Sequence, residues 1–132
     1  MTPLDKLRSI DLPFAKHIGL VFTEAQADRV VARMKVTKEL CNGRGVLHGG
    51  AAMSLADTVG AAGAIVNLAA DAKGTTTLES KTNFVSPALE GTEVVAISTP
   101  VHRGRRTQVW QTRIETENGK LVALVIQTQM TL

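Results

Sequence analysis

Aromatic residues are scarce in this chain, which has no tyrosine, one tryptophan and three phenylalanines among 132 residues. Hydrophobic residues nevertheless make up 44% of the sequence, so a core can form, and it must be built mainly from aliphatic side chains. That hydrophobic content excludes an intrinsically disordered chain. The shortage of aromatic rings also disfavours a surface that binds single-stranded nucleic acid by base stacking.

Cysteine is nearly absent as well, since Cys41 is the only one and no intrachain disulfide can form. The first nine residues contain Asp5, Lys6 and Arg8 and no apolar run, unlike a secretory signal peptide. These two features fit a reducing compartment, and we expect a cytoplasmic location. No spacing of His, Cys, Asp or Glu resembles a metal site, so we expect neither a metal nor a cofactor.

The net charge is +3, and a basic protein can bind nucleic acid, a membrane surface or an anionic metabolite. The only dense basic run is formed by Arg103, Arg105 and Arg106, and no aromatic residues surround it. A nucleic-acid partner is therefore disfavoured. Guanidinium groups bind phosphates through bidentate hydrogen bonds, so the cluster is a candidate site for a phosphate-bearing small molecule. For each arginine taken singly, a solvated turn is the alternative.

Two helical segments are expected. Residues 1–18 predict one or two short helices with a break at Pro13. The stretch from Ala51 to Ala70 is apolar, rich in Ala and Gly, and close to the length of a membrane span. Asp57 lies within it, and a charged residue is costly at membrane depth, so we expect no membrane partner. A helix that is apolar nearly all round is instead expected to be buried on most of its sides.

Most of the remaining chain has the pattern of β-strands. The predicted strands are Leu20–Glu24, Arg29–Val36, Thr75–Val85, Glu93–His102, Thr107–Thr116 and Leu121–Leu132. The Asn118-Gly119 pair is a strong hairpin signal, and strands joined by short turns predict an antiparallel meander. Residues 1–132 therefore predict a single α+β domain, in which an antiparallel sheet of five or six strands wraps around one long central helix.

The segment that begins at Asn42 and continues through His48-Gly49-Gly50 to Asp57 contains the candidate chemistry. If the long helix starts near Gly49, its first amides have no intrahelical partner and lie at the positive end of the helix dipole. Such amides can stabilise an oxyanion formed from a carbonyl group. Asp57 is the only charged residue between His48 and Ala70, and such carboxylates are often functional. A satisfied polar residue at an interface is the alternative for Asp57.

This motif at the start of an Ala/Gly-rich helix resembles the hotdog-fold acyl-CoA thioesterases, in particular the PaaI-like group, which carries Asp at this position. The resemblance covers the chain from about Leu20 to the end. It includes three further segments, which are Asn83-Phe84-Val85-Ser86-Pro87-Ala88, Arg103-Gly104-Arg105-Arg106-Thr107 with Val109-Trp110-Gln111, and Asn118-Gly119-Lys120-Leu121-Val122-Ala123.

The resemblance implies a role for each matching residue. The Gly49 amide and Asn42 would polarise the thioester carbonyl, and Asp57 would activate the attacking water or attack directly. Thr77 matches a position where the family often has a hydroxyl that positions this water, although a plain strand threonine is the alternative. His48 belongs to the same motif and is a further candidate, although a loop histidine bonded to backbone is the alternative. The arginine cluster would contact the coenzyme A phosphates.

The resemblance also implies a homodimer or homotetramer, because the acidic residue in this family faces the glycine of a neighbouring chain. One departure concerns the substrate. Relatives that act on aromatic acyl-CoA or aryl-carrier-protein thioesters share several of these segments but typically have Glu where this chain has Asp57. The acyl group, and the choice between coenzyme A and a carrier protein, therefore stay open.

Two other functions are compatible with the same residues. A hotdog dehydratase of 3-hydroxyacyl thioesters needs a His and an acid as partners in proton transfer, and His48 with Asp57 could supply them. A non-catalytic acyl-CoA-binding protein could use the same pocket without turnover. The products separate the three, since a thioesterase releases thiol, a dehydratase releases an enoyl thioester and a sensor releases neither.

Overall fold

A computed structural model describes all 132 residues. The helices are α1 (Pro3–Ser9), α2 (Pro13–Ile18) and α3 (Gly49–Val66), with one 3-10 turn at Lys38–Leu40. The strands are β1 (Val21–Gln26), β2 (Arg29–Lys35), β3 (Thr75–Phe84), β4 (Glu93–Arg103), β5 (Thr107–Thr116) and β6 (Leu121–Thr131). They form one antiparallel sheet in the order β1-β2-β4-β5-β6-β3, packed against α3. The predicted α+β hotdog fold is confirmed.

The element boundaries differ slightly from those expected. Each strand boundary lies within two residues of its predicted position. Pro13 does not interrupt a helix but is the first residue of α2, where its missing N–H costs no hydrogen bond. Helix α3 ends at Val66, before Ala70, because the Asn67 side chain bonds the Gly63 carbonyl and closes the last turn.

Helix α3 contacts all six strands of the sheet, and its buried residues lie at the centre of the core. Its length and hydropathy would suffice for a membrane span, but eight of its residues are buried inside the fold. Two glycines allow the sheet to come close. A methyl group at Gly63 would lie 2.6 Å from the Trp110 ring, and one at Gly60 would overlap the amide of Gln127. The small residues of α3 thus make room for two large side chains of the sheet.

The meander predicted for the second half of the chain is only partly correct. Strands β4, β5 and β6 are sequential neighbours, but β3 pairs with β6 at the far edge and not with β4. The connection after β3 passes the loop that precedes α3, where the Leu47 N–H donates to the Ala88 carbonyl. Val46 and Leu89 form an isolated bridge at the same place. This crossover places β3 beside the middle of α3.

Candidate active site

The loop before α3 caps the helix and leaves one amide available. His48 is the N-cap residue, and its Nδ1 accepts a hydrogen bond of 2.8 Å from the Gly50 N–H. A neutral His48 ring therefore carries its proton on Nε2. The Ala51 and Ala52 N–H groups donate to the His48 carbonyl, whereas the Gly49 N–H donates to no group of the chain. Gly49 thus presents a free donor at the positive end of the helix dipole.

Asn42 lies in the same cavity as Gly49. The cavity has a volume of about 360 Å³ and is also lined by Phe84, Ser86 and Val122, among others. The Asn42 Oδ1 accepts a 2.9 Å hydrogen bond from the Arg44 N–H, which fixes the orientation of the amide and leaves Nδ2 as a free donor. The two residues of the predicted oxyanion site therefore line one cavity.

Asp57 lies on a different part of α3, where β3 and β6 approach the helix. It is half-buried, and its Oδ1 accepts a 2.7 Å hydrogen bond from the Thr77 hydroxyl. The Gln127 amide nitrogen is 3.2 Å from the Asp57 carbonyl oxygen and 3.4 Å from Oδ1. Gln129 in turn donates to the Thr77 hydroxyl at 2.6 Å. The structure thus brings the Thr77 hydroxyl to the Asp57 carboxylate, while its expected role towards the attacking water stays a prediction.

The two halves of the candidate chemistry are separated within one chain. Gly49 and Asp57 are eight residues apart on one helix, which corresponds to about 12 Å of helical rise. Reacting groups must approach to about 3–3.5 Å. Asp57 is also absent from the lining of the cavity that contains Gly49 and Asn42. The two predicted groups therefore do not share one cavity within the chain.

The arginine cluster lies in the turn between β4 and β5, near the end of α3 opposite to Gly49. Arg103 donates to the Ala27 carbonyl at 3.1 Å, and Asn67, directly after α3, donates to the same oxygen at 2.8 Å. The three arginine side chains are exposed. Helix α3 is about 27 Å long. The cluster lies near its C-terminal end, and Asp57 is nearer to that end than Gly49 is. Its contact with coenzyme A stays a prediction.

Two other groups near the site have structural explanations. The Ser54 hydroxyl donates to the Gly50 carbonyl at 2.8 Å inside α3, so it is not presented as a nucleophile. The pKa of the Cys41 thiol is raised, mainly by partial burial and secondly by the nearby Glu90 and Glu39 carboxylates. Cys41 therefore stays protonated at neutral pH and is a poor nucleophile. No group of three His, Cys, Asp or Glu side chains converges anywhere in the fold.

Gln127 and Gln129 are the site residues that the sequence interpretation missed. Both are almost completely buried, with relative exposures of 0% and 1%. A signal was present, because two glutamines separated by one residue lie on one face of a strand that is otherwise largely apolar. The pairing of β6 with β3 gives Gln129 its partners Thr75 and Thr77, and the packing of β6 on α3 gives Gln127 its partner Asp57.

A central helix surrounded by an antiparallel sheet, with a glycine amide at the helix start and a carboxylate two turns later, defines the hotdog class. Residues 44–123 match the family model of the thioesterase superfamily. This chain is 33% identical over 119 residues to 1,4-dihydroxy-2-naphthoyl-CoA thioesterase 2 of Arabidopsis thaliana, covering 86% of this chain and 74% of that protein. The chain belongs to the thioesterase superfamily.

Solved structures agree with this membership. A thioesterase of Haemophilus influenzae superposes with a TM-score of 0.86 at 31% identity, covering 98% of this chain and 87% of the other. AziG of S. sahachiroi gives the same TM-score and identity, covering 92% and 97%. The PaaI protein of E. coli, at 24% identity, has a TM-score of 0.88 and covers 98% and 91%, which shows the shared fold. Thioester hydrolysis is the activity that these relationships support.

Proposed function

We propose that this protein is an acyl-CoA thioesterase with a composite active site between two copies of the chain. One copy supplies the Gly49 amide and Asn42, and the other supplies Asp57 and Thr77. The observation that carries the proposal is the separation of about 12 Å between Gly49 and Asp57 along one helix. Each copy holds half of the required chemistry, and a two-fold dimer supplies both halves twice.

The surface around Asp57 supports a second copy at this place. One face of α3, including Met53, Asp57 and Ala61, is not buried within the chain, although the helix is strongly apolar. Strand β3 is an edge strand beside it, with Leu78 and Phe84 more than half exposed. An open strand edge next to an apolar helix face favours association with another chain.

The proposed reaction is hydrolysis of the thioester by water. The carbonyl oxygen accepts hydrogen bonds from the Gly49 N–H and the Asn42 Nδ2, which stabilise the negative charge that develops on it. Asp57 takes a proton from water as the water oxygen bonds to the carbonyl carbon. The carbon–sulfur bond then breaks, and Asp57 returns the proton to the thiolate, so the products are a carboxylic acid and coenzyme A.

A direct attack by the Asp57 carboxylate is the second route to the same products. It would form an acyl anhydride on Asp57, which water then hydrolyses. A single turnover in ¹⁸O-labelled water with enzyme in excess detects an anhydride that is opened at the Asp57 carbon. Label appears only in the product when water attacks the thioester, and it enters the Asp57 carboxylate when an anhydride is opened at the Asp57 carbon.

The dehydratase alternative depends on His48 as well as Asp57. His48 uses its Nδ1 to cap α3, and it lies at the helix start, far along the helix from Asp57. A His and acid pair that shares a substrate would again need residues from two copies, and the capping bond holds the ring in place. The family membership also favours hydrolysis.

A panel of acyl-CoA thioesters tests the proposed function. The panel contains short and long aliphatic acyl groups and aromatic ones, with release of the free thiol followed by a colour reagent. The CoA-thioesterase name of the plant relative makes an aromatic acyl group one of the first substrates to try. We expect thiol release from at least one member and its loss in Asp57→Asn. Failure of the whole panel would refute the proposal.

A further inference from the structure

The hydrogen bonds around Asp57 end on one of its two carboxylate oxygens. Thr77 donates to Oδ1 at 2.7 Å, and Gln127 provides a longer second contact to the same atom at 3.4 Å. No donor of the chain bonds Oδ2. The two oxygens are therefore unequal, since Oδ1 is engaged and Oδ2 keeps its lone pairs for another group.

The Thr77 hydroxyl is held in one direction by a chain of bonds. The Thr75 hydroxyl donates to Gln129 Oε1 at 3.0 Å, which turns the Gln129 nitrogen towards Thr77. That nitrogen donates to the Thr77 oxygen at 2.6 Å, so the single hydroxyl proton of Thr77 is directed to Asp57. A hydroxyl has one proton, and Thr77 therefore cannot donate to water while this chain is intact.

Gln127 is placed beside Asp57 at a cost to the fold. Its side chain is completely buried against Gly60, and its Oε1 has no hydrogen-bond partner. A buried acceptor without a partner destabilises the folded state, and an apolar side chain of similar shape would remove that penalty. The only groups to which the Gln127 side chain donates are the carbonyl and the carboxylate of Asp57. Its presence is better explained by the site than by stability.

We propose that Gln127 and Gln129 are positioning residues for the proposed hydrolysis, which hold Asp57 through Oδ1, with Thr77, so that Oδ2 receives the proton of the attacking water. This inference rests on the proposed function. The water hydrogen goes to Oδ2, and Thr77 contributes by fixing the carboxylate. Towards water, the Thr77 hydroxyl oxygen can act only as a hydrogen-bond acceptor.

Gln127→Met tests the first part against a matched control. Gln108 is also buried, at 3% exposure, and its nitrogen donates to the Ala64 carbonyl of the same helix at 3.3 Å, while its oxygen accepts from Trp110. We expect Gln127→Met to lower kcat about tenfold with unchanged KM, the effect of one lost hydrogen bond to a charged group. Its Tm should stay the same or rise. Gln108→Met should lower Tm and leave kcat unchanged.

A double-mutant cycle tests the second part. Gln129 acts on Asp57 only through Thr77, so Gln129→Met should lower kcat several-fold in the wild type and have no further effect in Thr77→Val. Equal losses of kcat in both backgrounds would overturn the role of Gln129 through Thr77.

For Gln127, a drop in Tm as large as that of Gln108→Met, or an unchanged kcat, would overturn the positioning role.

Failure of the inference is distinguishable from failure of the proposed function. If the wild type releases thiol and Asp57→Asn does not, but the glutamine variants behave like the Gln108 control, only the positioning role is wrong. If the wild type hydrolyses no thioester, or Asp57→Asn retains its activity, the proposed function is wrong and the inference falls with it.

Discussion

Mixing two inactive variants tests the composite site most directly. Asn42→Ala removes one donor from the oxyanion cavity, and loss of such a donor costs about 10²–10³ in kcat. Asp57→Asn removes the base, which costs about 10² or more. Both homodimers should be nearly inactive, since every site in each of them lacks one required group.

The expected gain on mixing follows from the helix geometry. In the proposed site, Asn42 of one copy combines with Asp57 of the other, because about 12 Å of helical rise separates Gly49 from Asp57 in one chain. In a hybrid dimer one site then collects both mutations and the other collects neither. Random association of equal amounts makes about half of the dimers hybrid, each with one intact site of two, so about a quarter of wild-type kcat should return if the sites are independent.

The assay is thiol release after the two variants are unfolded together and refolded, because stable dimers exchange subunits slowly. Each variant refolded alone is the control, and a sizing column verifies that the mixture is dimeric. A dimeric mixture that stays as inactive as its parents would mean that Asn42 and Asp57 act within one chain. The composite site would then be refuted.

Three further outcomes follow from the same structure. Asp57→Asn should lower kcat at least about 10²-fold while the circular dichroism spectrum and Tm stay close to the wild type, because Asn is nearly isosteric; more than half of the wild-type kcat would exclude Asp57 as the key carboxylate. Replacing the exposed residues Arg103, Arg105 and Arg106 together by Ala should raise KM for acyl-CoA more than it lowers kcat, and the effect should shrink at high salt. An unchanged KM at low salt would place the coenzyme A phosphates elsewhere. Gly63→Ala should destabilise the protein by about 1–3 kcal/mol in urea unfolding, because the new methyl would lie 2.6 Å from the Trp110 ring, whereas Gly43→Ala, with open space around it, should not do so by this route.

The sequence by itself determined the local features. The apolar Ala/Gly-rich run predicted the central helix, and the His48-Gly49-Gly50 segment predicted its start, because capping and glycine at a helix end are local effects. The Asn118-Gly119 turn predicted the hairpin of β5 with β6. Asp57 could be singled out as a lone charge in this helix.

Only the tertiary structure decided which groups surround that carboxylate. Strand β3 has an ordinary strand pattern, and nothing in its sequence specifies that it pairs with β6 and not with β4. That pairing places Thr77 opposite Gln129 and brings both, with Gln127, to Asp57. Strand partners are selected by non-local packing around the helix, so residues far apart in the chain become neighbours without a local signal. The same holds for Gln127, whose place beside Gly60 exists only because the sheet closes on α3.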